Sequence, residues 1–272
     1  MRTCGWKLAA ALALAGLARM SEASNLYSTS GPTATDDVYT INQTTGAATL
    51  VGPSGPNWIG DLTSRLSTSV IYGADITNFN LVTINPGTGL ASAVAPFHAV
   101  TGGPVPIVSL AFDNTTATLY GNTAVSFSTT VADTLYKIDP VTAITTPIGA
   151  IGTNGVFALG FDNTGKLFGV ASGTTNQLLS ISTATGVGTV IATLQVPNIF
   201  DIASRPEDNV MFATAGSGGD IWRLNTVTGA MTDVGPHGSG NSVGLAFLVP
   251  EPGTIGLLGL GVAGLMGRRR RM

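Results

Sequence analysis

Cysteine is nearly absent from this 272-residue chain: Cys4 is the only one, so no intrachain disulfide holds the fold together. Charge is scarce too, at 10% of residues, against about 25% in an average soluble domain. The two histidines, His98 and His237, follow no HExxH pattern or other paired ligand spacing, and no metal site is expected. There is no P-loop, no GxSxG and no GxGxxG after a strand, and Asp36-Asp37 and Asp139 sit in no EF-hand pattern. No cofactor is expected. Basic residues are few outside the chain ends. Between Ser24 and Val249 five of them face 13 acidic ones, a net charge of about −8, which excludes a phosphate-backbone binder. What the chain does have is 36 glycines, 14 prolines and 44% hydrophobic residues, the composition of short strands joined by many turns.

The first residues read as an export signal. Arg2 and Lys7 precede an apolar run of 11 residues from Leu8 to Ala18, and small residues Ser21 and Ala23 occupy the −3 and −1 positions of a cleavage site before Ser24. As a helix, 11 residues reach only about 16 Å, too short to span a bilayer. Cleavage there removes Cys4, and no cysteine follows the site for lipid attachment. The expected organisation is a signal peptide over 1–23, a repeat body over 24–249 and a tail over 250–272.

The tail reads Pro250-Glu251-Pro252, then 15 uncharged residues from Gly253 to Gly267, then Arg268, Arg269, Arg270 and Arg271. The apolar run is shorter than the roughly 20 residues that span a bilayer comfortably, and none of its glycines are four apart, so it offers no GxxxG dimer face. The arginines hold the C-terminus in the cytoplasm by the positive-inside rule. This order of parts resembles the PEP-CTERM sorting signal of Gram-negative bacteria, over Val249 to Met272 alone. The resemblance implies an exosortase as processing partner, a transient hold in the inner membrane through a C-terminal transmembrane helix, and release to the cell surface or extracellular matrix. It also implies association with exopolysaccharide or biofilm-matrix systems.

The body repeats. Segments beginning at Val38, Leu81, Leu135, Leu178 and Ile221 share one pattern, and their fourth residues Ile41, Ile84, Ile138, Ile181 and Leu224 are spaced 43, 54, 43 and 43 apart. Between them lie strand–turn–strand units, with hairpin chemistry at Asp113-Asn114 and at Asp162-Asn163-Thr164-Gly165. Each unit is four antiparallel strands, termed a to d from channel to rim, at the period of a propeller blade. Asn25–Ser30 reads as a lone b strand and Val243–Leu248 as a lone a strand, so the chain ends complete one shared blade. The expected fold is an all-β, five-bladed β-propeller of four-stranded blades, plus a signal helix and a C-terminal transmembrane helix.

Two insertions break the register. One extends the d–a loop near Pro96–Pro106 and the other the b–c loop near Gly121–Ala132. In an antiparallel blade these loops emerge on one face, and loops on a rigid scaffold carry binding. Phe97 and His98 in the first insertion are candidate ligand contacts. The residue before the aligned a-strand apolar position is Asp61, Ser109, Ala158, Asp201 and Gly244 in turn, which places Asp61 and Asp201 toward the channel mouth as further candidates. Two carboxylates across a pocket are also the equipment of glycoside hydrolysis, and five-bladed glycosidases exist. Against that, the body has one glutamate, Glu207, in an a–b turn, and no third carboxylate to tune a pKa. The sequence favours a non-catalytic binding module for carbohydrate or matrix partners, with no catalytic residues, and leaves a glycan-cleaving enzyme as the alternative. Tyr39, Tyr136 and Trp222 share one column of strand c and are expected to pack between blades.

Overall fold

Runs with a two-residue apolar period become strands here because alternate side chains reach opposite faces of a pleated ribbon. A computed structural model describes residues 23–31, 36–55, 57–124, 133–172, 175–215 and 219–250. The expected signal helix and C-terminal transmembrane helix lie outside the described residues, among which no helix is long and apolar enough to cross a membrane. The body from Ser24 to Val249 is one compact unit.

Five antiparallel sheets make the five blades. Blade one runs Gly244–Leu248, Asn25–Thr29, Asp36–Ile41, Ala48–Gly55 from channel to rim, and blade two Ile59–Arg65, Val70–Asp75, Asn80–Ile84, Ala91–Pro96. Blade three runs Ile107–Asp113, Thr118–Thr123, Thr134–Ile138, Ile144–Ala150, blade four Val156–Phe161, Leu167–Ala171, Asn176–Ile181, Gly188–Leu194, and blade five Ile199–Ser204, Met211–Ala215, Asp220–Leu224, Met231–Pro236. The last strand pairs with the first in continuous register, from Asn25 against Leu248 to Thr29 against Gly244. The interlocking ends expected from the sequence are therefore present.

The core is divided among the seams. Five buried apolar clusters each join two neighbouring blades: one and two around Ile59 and Leu62, two and three around Leu81 and Leu110, three and four around Leu159, four and five around Ile202, and five and one around Phe212 and Leu245. A single blade buries nothing on its own faces, so each depends on both neighbours. Tyr39, Tyr136 and Trp222 pack against these clusters, as expected.

The c–d turns repeat one mechanism. Asn42, Asn85, Asp139 and Asn225 each accept, on a side-chain oxygen, the backbone N–H groups two and three residues ahead. The turn then needs a left-handed residue, supplied by Gly46 at φ 76°, Gly89 at 78°, Gly186 at 82° and Gly229 at 73°, with Ala143 at 56° in blade three. These turns also touch the preceding blade. A Cβ added to Gly46 would lie 2.2 Å from the carbonyl oxygen of Gly235 in blade five, beside a hydrogen bond from Ala48 N–H to His237 O at 3.0 Å. Gly46→Val therefore combines left-handed strain with a backbone clash at the closing seam. It is expected to cost at least about 2 kcal/mol in urea unfolding. Gly87→Ala in the neighbouring turn, where the nearest atom to a new Cβ is 3.5 Å away, is expected to stay within about 0.5 kcal/mol of wild type.

Candidate functional site

The inner ring owes its chemistry to a repeated irregularity. The a–b pairing shifts register between Ile59 and Asp61, Val156 and Ala158, and Ile199 and Asp201, with the matching irregularity opposite Asn122 and Thr123 in blade three. A bulge re-aims the side chain that follows it, and the residues so placed are Asp61, Ser109, Ala158 and Asp201. It also takes backbone groups out of the ladder, and they need other partners. Polar side chains of the preceding blade supply them. Thr29 donates to Ile59 O at 3.0 Å, Asn122 to Val156 O at 2.8 Å and Ser172 to Ile199 O at 3.3 Å. Asp36 accepts from Ile59 N–H and Asp133 from Val156 N–H, both at 2.7 Å.

Asp61 and Asp201 are both fully buried, at 0% exposure, which corrects their expected place at an open channel mouth. Each meets a-strand backbone of other blades instead. Asp201 accepts from Leu245 N–H and Ile202 N–H, each at 2.6 Å, and from Leu62 N–H at 3.4 Å. Asp61 accepts from Leu110 N–H at 3.1 Å. The two carboxyls thereby tie blades five, one, two and three together around the axis. Burial, then the charge of Asp201, pushes Asp61 well above the usual carboxylate range, against weaker opposition from the Ser109 hydroxyl and Leu110 N–H. Burial also raises Asp201, against its three backbone donors. Neither Asp61 Oδ2 nor Ser109 Oγ has a hydrogen bond of good geometry. Chemically this is a buried carboxyl pair whose environment favours the protonated form, with both Asp201 oxygens and one Asp61 oxygen engaged by backbone amides.

The pH consequence has a definite sign. A carboxyl whose folded pKa lies above its unfolded value binds more protons when folded, so its contribution to stability is lost as pH rises above the unfolded value near 4. Asp36, pushed up to about 6 by burial against its backbone and Ser30 donors, acts in the same direction. His237, depressed to about 4 by burial, acts oppositely, since the folded state disfavours its charging as pH falls through about 6.5. Comparison with Asp61→Asn isolates the pair. The variant keeps an acceptor for Leu110 N–H, removes a buried charge and offers Asp201 a donor. Its melting temperature is expected to equal that of wild type near pH 4 and exceed it progressively toward pH 8. A difference that does not vary with pH over that range would contradict the raised pKa.

The insertion in the d–a loop of blade two behaves differently from a free loop. Phe97, a candidate contact, is buried at 1% exposure and packs with Val105 in the seam between blades two and three. His98 is half-buried, with Nδ1 2.8 Å from Pro96 O. His98–Ala99 adds a short parallel strand to the outer edge of blade three, opposite Ile144 and Thr145, and Thr145 donates to His98 O at 3.1 Å. The tip is a tight turn closed by Ala99 N–H to Gly103 O at 2.7 Å, with Val100 74% exposed. The insertion thus lies at the rim, apart from the buried aspartates. The second insertion falls mostly on 125–132, outside the described residues.

The opposite end of the inner strands carries a feature the sequence reading passed over. Asn114 donates to Ser64 O at 3.0 Å and accepts from Leu66 N–H at 2.8 Å, and Asn163 donates to Arg205 O and Pro206 O at 3.0 and 2.9 Å. Each asparagine of the two Asp-Asn turns therefore grips a neighbouring blade, while its aspartate caps its own turn. Between them lies a cavity of about 250 Å³, lined by Ser64, Asn114, Asp162, Asn163, Ser204 and Pro206 among others. The repeated Asp-Asn dipeptide was the available signal.

Residues 248–271 match the family model described as the PEP-CTERM protein-sorting motif. The motif implies an exported precursor, anchored in the membrane and addressed to an exosortase for processing at the cell envelope. No curated protein matches the chain. Among solved structures, a chain of the "Crystal structure of Nidogen/Laminin Complex" is similar, with a TM-score of 0.57 and 9% identity over 82% of this chain and 98% of that one. At that identity the likeness is one of fold.

Proposed function

We propose that the mature protein is a non-catalytic propeller displayed at the cell surface or in the extracellular matrix, where it binds a carbohydrate or another matrix component. The observation that carries this reading is the state of the two channel aspartates. A glycosidase needs carboxyls that reach the scissile bond from opposite sides, whereas Asp61 and Asp201 are sealed at 0% exposure and engaged by backbone N–H groups. Their work is to hold the ring together. The surface assigned to recognition in this reading is the rim insertion. Phe97 anchors it, His98 stands half-exposed, and Val100 projects from a turn stiffened at both ends. A rigid tip loses little entropy on binding.

The body is built for release. The sorting motif begins at Leu248, the last residue of the closing strand, with Pro250–Pro252 just beyond it. Processing there removes the apolar run and the arginines and leaves the shared blade whole. An epitope tag placed after Arg271 is expected to be missing from the extracellular form in the native host, while a tag within the body persists; retention of both would reject processing. On a glycan panel the purified body is expected to bind without releasing products, and Val100→Asp to weaken that binding about tenfold, or about 1.4 kcal/mol, with an unchanged melting temperature. Product release abolished by Asp61→Asn would instead establish the glycan-cleaving alternative.

A further inference from the structure

Glu207 is the single glutamate between Ser24 and Val249, and the fold gives it an unusual partner. Both of its carboxylate oxygens face Ser24: the Ser24 N–H donates to Oε1 at 2.5 Å and the Ser24 hydroxyl donates to Oε2 at 2.9 Å. The same residue is held from the other side, because the Gln43 side-chain amide donates to Ser24 O at 2.6 Å. Gln43 is in turn fixed by Arg205, which donates to its Oε1 at 2.9 Å, and by Arg223, which donates to its backbone carbonyl at 3.3 Å. Arg205 is paired with Asp208. The seat therefore draws on the a–b turn and c strand of blade five and the c–d turn of blade one, all at the closing seam.

Ser24 is also the residue that follows the small −3 and −1 pair, Ser21 and Ala23. The compact body begins at Ser24, with Ala23 outside it, and Ala23 is exposed where Ser24 is buried. We propose that Ser24 is the N-terminal residue of the mature protein and that its freed α-ammonium group is seated on the Glu207 carboxylate, fastening blade five to blade one. Cleavage adds water across the Ala23–Ser24 peptide bond. The C–N bond breaks, hydroxyl passes to the Ala23 carbonyl carbon, and the Ser24 nitrogen leaves with the proton, giving a carboxylate on the departing peptide and an ammonium on the body. Cleavage comes before the blade closes, since the nitrogen side of that bond is buried in the folded body.

A neutral amide donor opposite the Glu207 carboxylate becomes a cation carrying three protons, which turns a hydrogen bond into an ion pair. The arrangement also explains the sign of the neighbours. Arg205 and Arg223 reach Gln43 rather than Glu207, and Arg205 is spent on Asp208, so the carboxylate is left for the incoming amine. The stability gained has a pH window set by that amine. Its unfolded pKa is about 7.7–8.0, and a carboxylate partner raises the folded value. The contribution is thus complete below the unfolded value and lost as pH rises through the folded one.

The test uses the exported protein purified from its host. N-terminal sequencing is expected to begin at Ser24. Glu207→Gln is expected to lower the melting temperature by roughly 3 °C at pH 7 and by much less at pH 10.5. Selective acetylation of the α-amine is expected to lower wild type by a similar amount and leave Glu207→Gln unchanged. The proposal rests on the export reading, and the two fail differently. A chain that still carries residues 1–23 overturns both, and an exported chain that begins at a residue other than Ser24 overturns the seat alone. A chain that begins at Ser24 but loses equal stability from Glu207→Gln before and after acetylation overturns the seat alone.

Discussion

Everything in the body depends on five residues at one end of the chain pairing with five at the other. Asn25–Thr29 and Gly244–Leu248 share a ladder with no register shift, and that pairing turns a linear array into a ring. The consequence is energetic as well as topological. Apolar burial in this molecule lies in the seams, and a chain of four whole blades and one split blade left open would expose the closing seam, with Leu26, Phe212, Leu245 and Phe247 facing water. At about 25 cal/mol per Å² of apolar surface, losing one seam in five is a large share of what stabilises a domain only marginally. Closure also covers the inner edge of Asn25–Thr29, which would otherwise be open to another chain.

The polar groups of the inner ring follow from that geometry. Bulges near the start of the a strands bend the backbone around the axis, and the amides and carbonyls they free are answered by Thr29, Asp36, Asn122, Asp133 and Ser172 from the preceding blade. Asp201 and Asp61 extend the same role across the axis. A buried carboxyl is costly unless hydrogen-bonded, and Asp201 with three backbone donors meets that requirement better than Asp61 with one. The ring is held by the seams and by directional bonds between blades, with no disulfide available to it.

Address and architecture are coupled at the chain ends. The sorting motif overlaps the closing strand by one residue, and the first buried residue of the body, Ser24, lies beside blade five. Processing at the two points proposed above would flank the shared blade and leave the ring closed. A protein low in charge and with a single cysteine gains from a fold that pairs its two terminal strands with each other.

The repeat was legible in the sequence because each blade places the same column of aliphatic residues, Ile41 through Leu224, into a seam, spaced 43 residues apart except where the two insertions stretch one interval to 54. The shared blade was legible for the same reason, as a b strand without its a strand at one end and the reverse at the other. Asp61 and Asp201 were visible as a column. Their burial was not, because whether a bulged residue faces open channel or backbone depends on how tightly five strands converge on an axis. Phe97 reads in sequence as a loop aromatic, and only the packing of blade three against blade two makes it core. Glu207 reads as a turn residue, 183 positions from Ser24; closing the ring brings the two together. Periodicity is a local property of the chain, so the sequence alone determined the blades and their number. Which polar groups meet across the axis and across the closing seam was decided by closure, a constraint that acts between residues far apart in the chain.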